Sequence, residues 1–241
     1  MEAFPVNIKG FIDVSLIDWD GYVVSVIWTP GCNFRCPFCF NKTLVLNPES
    51  LQNIPEETIL DFLEENKNIL DGLCITGGEP TIQTDLDLFC SKVKRLGLKV
   101  KLDSNGSKPE VLRSLILNNL VDFIALDIKA PLNLESYEKA SGVRSEELIK
   151  KIVESIRLLM TSGVDYEFRT TIVPSLHSEF EVEQICKAIR GAKKYVLQAY
   201  NPRDPIDPRF KDVEIPSRSF MLRLAEIASK YVEKVSIRGI S

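Results

Sequence analysis

Three cysteines, Cys32, Cys36 and Cys39, fall within eight residues, in the segment Thr29-Pro30-Gly31-Cys32-Asn33-Phe34-Arg35-Cys36-Pro37-Phe38-Cys39-Phe40-Asn41. Their spacing is C-x3-C-x2-C. Three thiolates on one tight loop can hold three corners of an iron–sulfur cube, because soft sulfur ligands suit iron. No fourth cysteine is near in sequence, so one iron of such a cube stays open to a non-protein ligand, and an open metal position is where chemistry occurs. Two blander readings remain on spacing alone. A structural zinc would draw its fourth ligand from His177 or a distant cysteine. Otherwise three structural cysteines would have to be buried on a polar loop carrying Pro30 and Gly31.

Further along, Cys74-Ile75-Thr76-Gly77-Gly78-Glu79-Pro80 closes an apolar run. Paired glycines let the backbone approach a ligand and expose its amide and carbonyl groups, and Glu79 can accept a hydrogen bond from an ammonium. A plain turn closing a strand is the alternative. Two more apolar runs end in Leu102-Asp103-Ser104-Asn105-Gly106 and Leu126-Asp127-Ile128-Lys129. A carboxylate there is costly unless paired or bound to a cation. An internal pair such as Asp127 with Lys129 would satisfy that need. Two neighbouring runs each presenting a carboxylate favour a ligand or cation instead. Arg169, in Glu167-Phe168-Arg169-Thr170-Thr171, suits either an internal salt bridge or a fork onto a ligand carboxylate.

These motifs need strands to carry them. Strand-like runs occupy 22–28, 73–76, 99–104, 123–128, 166–173 and 195–200, with 232–237 as a further candidate. Helical patterns fill 55–70, 85–96, 109–119, 145–161, 179–190 and 217–231, the first with Ile59, Leu60, Leu63 and Leu70 on one face. Gly97, Gly163 and Gly191 stand just past helix ends, where a left-handed residue is favoured. Such alternation implies right-handed parallel βαβ crossovers, in an open doubly wound sheet or a barrel. Six units fall short of the complete eightfold barrel of ~250 residues. The expected fold is α/β, an incomplete (β/α)6 TIM-like barrel of parallel strands forming one domain over 1–241. In either arrangement ligands bind at the C-terminal strand ends, where the motifs lie.

The composition sets outer limits. Of 241 residues 44% are hydrophobic and 27% charged, ordinary for a folded soluble chain able to bury a core. A formal charge of −4 argues against a protein that works by neutralising nucleic-acid phosphates. No run approaches the ~18 apolar residues of a membrane span, and residues 1–5 lack the basic start of a secretory signal. A cytoplasmic protein is expected. Cys74, Cys90 and Cys186 are scattered and read as small core hydrophobes. His177 is the single histidine, which excludes multi-histidine sites, and it reads as a loop or helix-cap residue. The basic stretch 92–101 reads as a solvated helix face, and 203–209 as a rigid exposed loop.

The cysteine spacing, with aromatic Phe38 before the third cysteine, resembles the signature of the radical S-adenosylmethionine (SAM) enzymes. The resemblance implies a [4Fe-4S] cluster on Cys32, Cys36 and Cys39, with SAM chelating the open iron. It implies an incomplete βα barrel as well. Gly77, Gly78 and Glu79 would hold the SAM amino group, with Pro80 shaping the turn. The Asp103-Ser104-Asn105-Gly106 and Asp127-Ile128-Lys129 stretches are similar to those of glycyl-radical-enzyme activases, above all the activating proteins of anaerobic ribonucleoside-triphosphate reductase. That likeness covers about residues 8–238 and takes in Asp18-Trp19-Asp20-Gly21 and Asn41; Phe40 departs from it, since those enzymes often carry His there. It places Asp103, Ser104, Asn105, Asp127 and Lys129 in the cofactor pocket, with Asp103, Ser104 and Asp127 sharing a monovalent cation; Arg169 joins that pocket where its guanidinium takes the SAM carboxylate in place of an internal salt bridge. The implied activity is reductive cleavage of SAM to a 5′-deoxyadenosyl radical that makes a glycyl radical on a partner. The large subunit of anaerobic ribonucleotide reductase would be that partner and a flavodoxin or ferredoxin the electron donor. No acid–base residue of the chain is required. A small-molecule enzyme like the 7-carboxy-7-deazaguanine synthases, or a zinc domain without catalysis, are the alternatives.

Overall fold

The computed structural model describes residues 6–240; residues 1–5, on which the reading of the leader rests, lie outside it. Eight strands form one sheet in the order β1 to β8. They are β1 (Gly10–Ser15), β2 (Val24–Thr29), β3 (Gly72–Gly77), β4 (Lys99–Ser104), β5 (Phe123–Asp127), β6 (Asp165–Ile172), β7 (Tyr195–Ala199) and β8 (Val235–Arg238). The helices are α1 (Lys42–Leu46), α2 (Glu56–Asn66), α3 (Leu86–Arg95), α4 (Pro109–Leu117), α5 (Leu134–Ser141), α6 (Glu146–Ser162), α7 (Glu179–Ala188) and α8 (Arg218–Ala228).

β2 pairs parallel with β3 and β3 with β4; β6 pairs parallel with β7 and β7 with β8. The expected strand–helix alternation is present, with the six expected strands as β2–β7, and no pairing between β1 and β8 closes the sheet among the described residues. β8 realises the candidate at 232–237. β1 was not expected. It runs antiparallel to β2 with a register shift between Ile12 and Ser15, and its Ile12, Asp13 and Val14 are exposed. An edge strand of this kind lacks the buried alternation that marks a strand in sequence.

The chain groups into two compact units: residues up to Asn33 with 43–104 and 110–124, and residues 34–42 with 105–109 and everything from Ala125. In the first, Val24, Val26 and Ile27 of β2 and Leu73 and Ile75 of β3 are fully buried, the near-continuous apolar run of strands covered on both faces. α2 and α3 supply Ile59, Leu63, Phe89, Cys90 and Val93 to this core. Lys92, in the stretch expected to be solvated, pairs with the buried Glu56, and Glu56 also accepts the Val6 N–H at 3.1 Å.

In the second unit, α6 is capped by Ser145, whose side chain accepts the Leu148 N–H, and ends at Gly163 with φ 82°. Gly97 and Gly191 likewise have positive φ. α5 escaped the sequence reading because Tyr137 and Ala140 are its only buried side chains of hydrophobic type, too few to set a period. Asn133 caps its start and Gly142 its end. The unit also buries Glu167 of β6, which holds Arg238 of β8 at 2.7 Å and Lys194 at 2.7 Å. Removing the charge takes from two partly buried cations the carboxylate they share. Glu167→Gln is expected to lower unfolding stability by ~3–5 kcal/mol in urea titrations; an unchanged midpoint would contradict this account of how β8 is held.

Candidate functional site

The first unit presents the glycine pair. β3 ends level with β2, Thr29 opposite Gly77. Beyond the ladder, Gly78 N–H donates to Thr29 O at 2.9 Å and Glu79 N–H to Gly31 O at 2.8 Å. Two backbones therefore lie against each other immediately before Cys32. A Cβ on Gly78 would stand 1.7 Å from Gly31 O, and one on Gly77 (φ 131°) 2.3 Å from Thr29 O. Glycine is obligatory here for packing, whatever else it serves.

Glu79 follows, buried, and its Oε1 accepts from Ser104 Oγ (2.8 Å), Thr81 Oγ1 (2.5 Å) and Thr81 N–H (3.2 Å). Pro80 opens the 3-10 turn Pro80–Ile82 that Glu79 caps. Glu79 and Ser104, assigned together from sequence, are thus in contact. Asp103 points to another partner, Lys101, at 2.8 Å. Lys101 is 3% exposed and also donates to Asp18 O at 2.6 Å. That corrects the reading of 92–101 as a solvated face: a strand residue facing inward needs a carboxylate, and Asp103 supplies it.

In the second unit Cys39 N–H donates to Cys36 O at 3.1 Å, closing a tight turn. The turn is braced twice. From α5, Ser141 O accepts Arg35 N–H at 2.8 Å, and Gly142 (φ 71°) lies so close that a Cβ would stand 2.5 Å from Arg35 O. From the segment after β7, Ile206 N–H donates to Cys39 O (3.1 Å) and Asp207 N–H to Pro37 O (2.9 Å). Phe34 meets Tyr137 edge-on, and buried Phe38 meets Tyr200 edge-on and Phe210 at a tilt. Residues 203–209 are therefore only partly the independent exposed loop expected from sequence. Their side chains face solvent at Arg203, Asp204 and Arg209, while their backbone holds the cysteine turn. Phe40, beside Cys39, is 58% exposed.

Asp127, at the end of β5, binds Arg169 Nε at 2.6 Å and Lys129 Nζ at 2.7 Å. Both internal pairings weighed from sequence are formed. Burial pushes the Asp127 carboxyl up, but the Arg169 and Lys129 charges outweigh it and hold it well below the usual carboxylate range. Burial opposes the Lys129 charge, and Asp127 and Cys36 more than restore it, leaving its pKa raised. The Cys39 thiol is pushed up by burial, against the Asn41 backbone hydrogen bond and the Lys129 charge. Asn105 is buried, and its Oδ1 accepts Ser107 N–H at 3.0 Å, so it shapes the turn after β4. Asp103 and Asp127 each hold a protein cation.

His177, read from the sequence as a loop or helix-cap residue, is a buried brace between two strand ends. It is fully buried; Nδ1 accepts Val173 N–H at 3.0 Å, so Nε2 carries the proton and donates to Lys129 O at 2.8 Å. Both ring nitrogens are engaged, which removes the histidine a structural zinc would need. Cys74, Cys90 and Cys186 are buried as expected, and burial pushes the Cys90 and Cys186 thiols up to about 12. All six cysteines are thiols. Among the described residues no three Cys, His, Asp or Glu side chains form a preassembled metal-binding group. The donor set of the cysteine loop nevertheless suits iron: soft sulfur on a braced turn, with an ammonium near enough to favour thiolate.

Gly78→Ala is expected to cost at least ~1–3 kcal/mol in urea unfolding, because the new methyl meets backbone that cannot rotate away; unchanged stability would refute that close approach. Burial holds His177 below its ordinary pKa. The unfolded chain therefore takes up a proton that the folded one refuses as pH falls below ~6.5. Stability should decline from pH 7 towards 5, and His177→Gln should flatten that decline. Parallel pH profiles of unfolding midpoints for the two proteins would sink this assignment.

The sequence model of the Radical SAM superfamily matches residues 26–190. A Methanocaldococcus jannaschii protein provisionally named as a glycyl-radical enzyme activating enzyme is 34% identical over 97% of this chain and 96% of its own length. The pyruvate formate-lyase-activating enzyme of Clostridium pasteurianum is 25% identical over 94% of this chain and 98% of its own. Among solved structures, a radical SAM methyltransferase from Sphaerobacter thermophilus superposes with a TM-score of 0.70 at 15% identity, covering 92% of this chain and 68% of that one. Streptococcus suis SuiB with its precursor peptide gives 0.67 at 17%, covering 90% of this chain, which spans about half the length of SuiB. At such identities the structures speak for the fold alone. The sequence matches go further: the chain is an enzyme that belongs to the radical SAM superfamily.

Proposed function

We propose that this chain is a single radical SAM barrel domain that makes a glycyl radical on a partner enzyme in the cytoplasm. The large subunit of anaerobic ribonucleoside-triphosphate reductase is the proposed partner, and a flavodoxin or ferredoxin the electron donor. The observation that carries the reading is the 34% identity, along almost the full length of both chains, to the M. jannaschii relative. The C-x3-C-x2-C loop and the polar residues at strand ends support it.

In this reading Cys32, Cys36 and Cys39 hold the [4Fe-4S] cluster. When bound, cluster and SAM together supply a 5′-deoxyadenosyl radical that takes a hydrogen atom from the substrate. The chain's own residues bind and orient. Glu79, steadied by Ser104 and Thr81, accepts from the SAM ammonium, which the Gly77–Gly78 backbone admits and Pro80 positions. Lys129 and Arg169, fixed by Asp127, answer the SAM carboxylate. Asn105, which shapes the turn after β4, and Asp103 with its Lys101 partner would belong to the same cofactor pocket. Phe38 keeps water from the cysteine turn. A monovalent cation at Asp103, Ser104 and Asp127 is part of this reading, and it would share those carboxylates with the protein cations they already hold.

A second reading rests on the 7-carboxy-7-deazaguanine synthase of Thermococcus kodakarensis, 26% identical over 73% of each chain: the same core acting on a small molecule. Anaerobically reconstituted protein with reductant and SAM is expected to release 5′-deoxyadenosine, and Cys36→Ala to release none. Adding an anaerobic ribonucleotide reductase large subunit should then produce the doublet electron paramagnetic resonance signal of a glycyl radical. Deoxyadenosine without a protein radical, but with turnover of a pterin, would replace the activase reading with the second. Iron-loaded protein that cleaves SAM under neither condition would overturn both.

A further inference from the structure

The sheet face that carries Arg169 continues across the last three strands. Glu167, Arg169 and Thr171 alternate on β6 and share that face; Asp127 meets it at Arg169, and Arg238 meets it at Glu167. Register sets Thr171 beside Gln198 and Gln198 beside Arg238. Three polar side chains thus form one row, with about 4.8 Å from strand to strand. Thr171 and Gln198 are half-buried, whereas their chain neighbours Thr170, Ile172, Leu197 and Ala199 are buried. Among the described residues neither the Thr171 hydroxyl nor the Gln198 carboxamide makes a hydrogen bond. Arg238, by contrast, is forked onto Glu167 at 2.7 and 3.1 Å.

The row lies at the C-terminal strand ends, where ligands bind in such sheets. Thr171 stands two residues beyond Arg169, and Gln198 two before Tyr200, whose ring meets Phe38 beside Cys39. What the row can hold follows from its chemistry. A hydroxyl and a carboxamide each donate and accept. An anion would use only the donors and leave Gln198 Oε1 idle; a cation would use only the acceptors. A peptide group uses both. In an extended chain one residue's N–H and C=O point to the same side and can exchange two bonds with a single carboxamide. Glycine has no side chain to grip, so recognition of a glycyl segment falls on its peptide groups.

Resting on the activase reading above, we propose that Gln198 and Thr171 bind the main chain of the partner's glycyl segment. Gln198 Nε2 donates to a peptide carbonyl, its Oε1 accepts the N–H of the same residue, and the Thr171 hydroxyl takes a neighbouring peptide group. The Glu167 fork occupies Arg238, which leaves the Gln198 amide to the substrate. Such a row selects an extended segment poor in side chains and tolerates changes in the residues that flank the glycine.

The test uses anaerobically reconstituted holoprotein with reductant and SAM. Electron paramagnetic resonance follows glycyl-radical formation at increasing concentrations of the anaerobic ribonucleotide reductase large subunit. Gln198→Leu and Thr171→Val keep the side-chain shape and remove the polar atoms. Each is expected to bind iron and SAM as wild type does and to raise the KM for the subunit about three- to tenfold, as the loss of a hydrogen bond or two requires. A blocked heptapeptide centred on the subunit's radical-bearing glycine serves as a competing probe. N-methylating that glycine should weaken its inhibition of wild type by a similar factor and of Gln198→Leu hardly at all; equal weakening overturns the inference. An unchanged KM in the folded, iron-loaded variants overturns it too. So does weakened SAM binding with an unchanged KM, which places the row in the cofactor pocket. Should one variant fail to fold, the other decides. Wild type that releases 5′-deoxyadenosine yet makes no radical on the subunit defeats the activase reading, and this inference with it.

Discussion

A carboxylate buried at a strand end sets the terms for the second unit. Asp127 cannot remain ionised alone in such surroundings, and cannot be surrounded by apolar groups without cost. Its solution is two cations from two directions, Arg169 from β6 and Lys129 from just past β5. His177 then fixes the Lys129 main chain through its carbonyl, and Val173 at the end of β6 fixes His177. One acid thereby ties the C-terminal end of β5 to β6 and to the loop behind them. Its charges sum to one positive, and the cysteine turn lies within reach of it.

In the first unit the constraint is steric. The Gly77–Gly78 backbone packs on Thr29 and Gly31 so closely that no side chain fits. The geometry that could admit a ligand's polar head is the same geometry that anchors the entry to the cysteine segment. Chemistry and packing ask for the same residue, so neither reading of a glycine pair excludes the other.

Much of this was legible beforehand, and the exceptions have physical causes. Strands β2–β7 are runs of β-branched residues ended by glycine or acid, and six of the helices carry an apolar stripe; both signals are local. α5 offers only a cap at each end and two buried hydrophobic side chains, which periodicity cannot detect. β1 is an exposed edge. Around the site, residue types and positions at strand ends were readable, whereas partners were not. Nothing in the sequence says that residues 206 and 207 reach back to the cysteine turn or that His177 faces Lys129, because those pairings are long-range; Asp103 and Lys101, two residues apart on β4, share a face by strand alternation alone.

The bonds that shape the turn from Arg35 to Cys39 run through main-chain atoms: Arg35 N–H, the Pro37, Cys36 and Cys39 carbonyls and the Cys39 N–H. The course of the turn is thus written in peptide groups, and the thiols are carried on it as side chains. Modification of a sulfur leaves untouched the bonds that set the path of the backbone, and α5 and the segment after β7 go on holding the turn in shape.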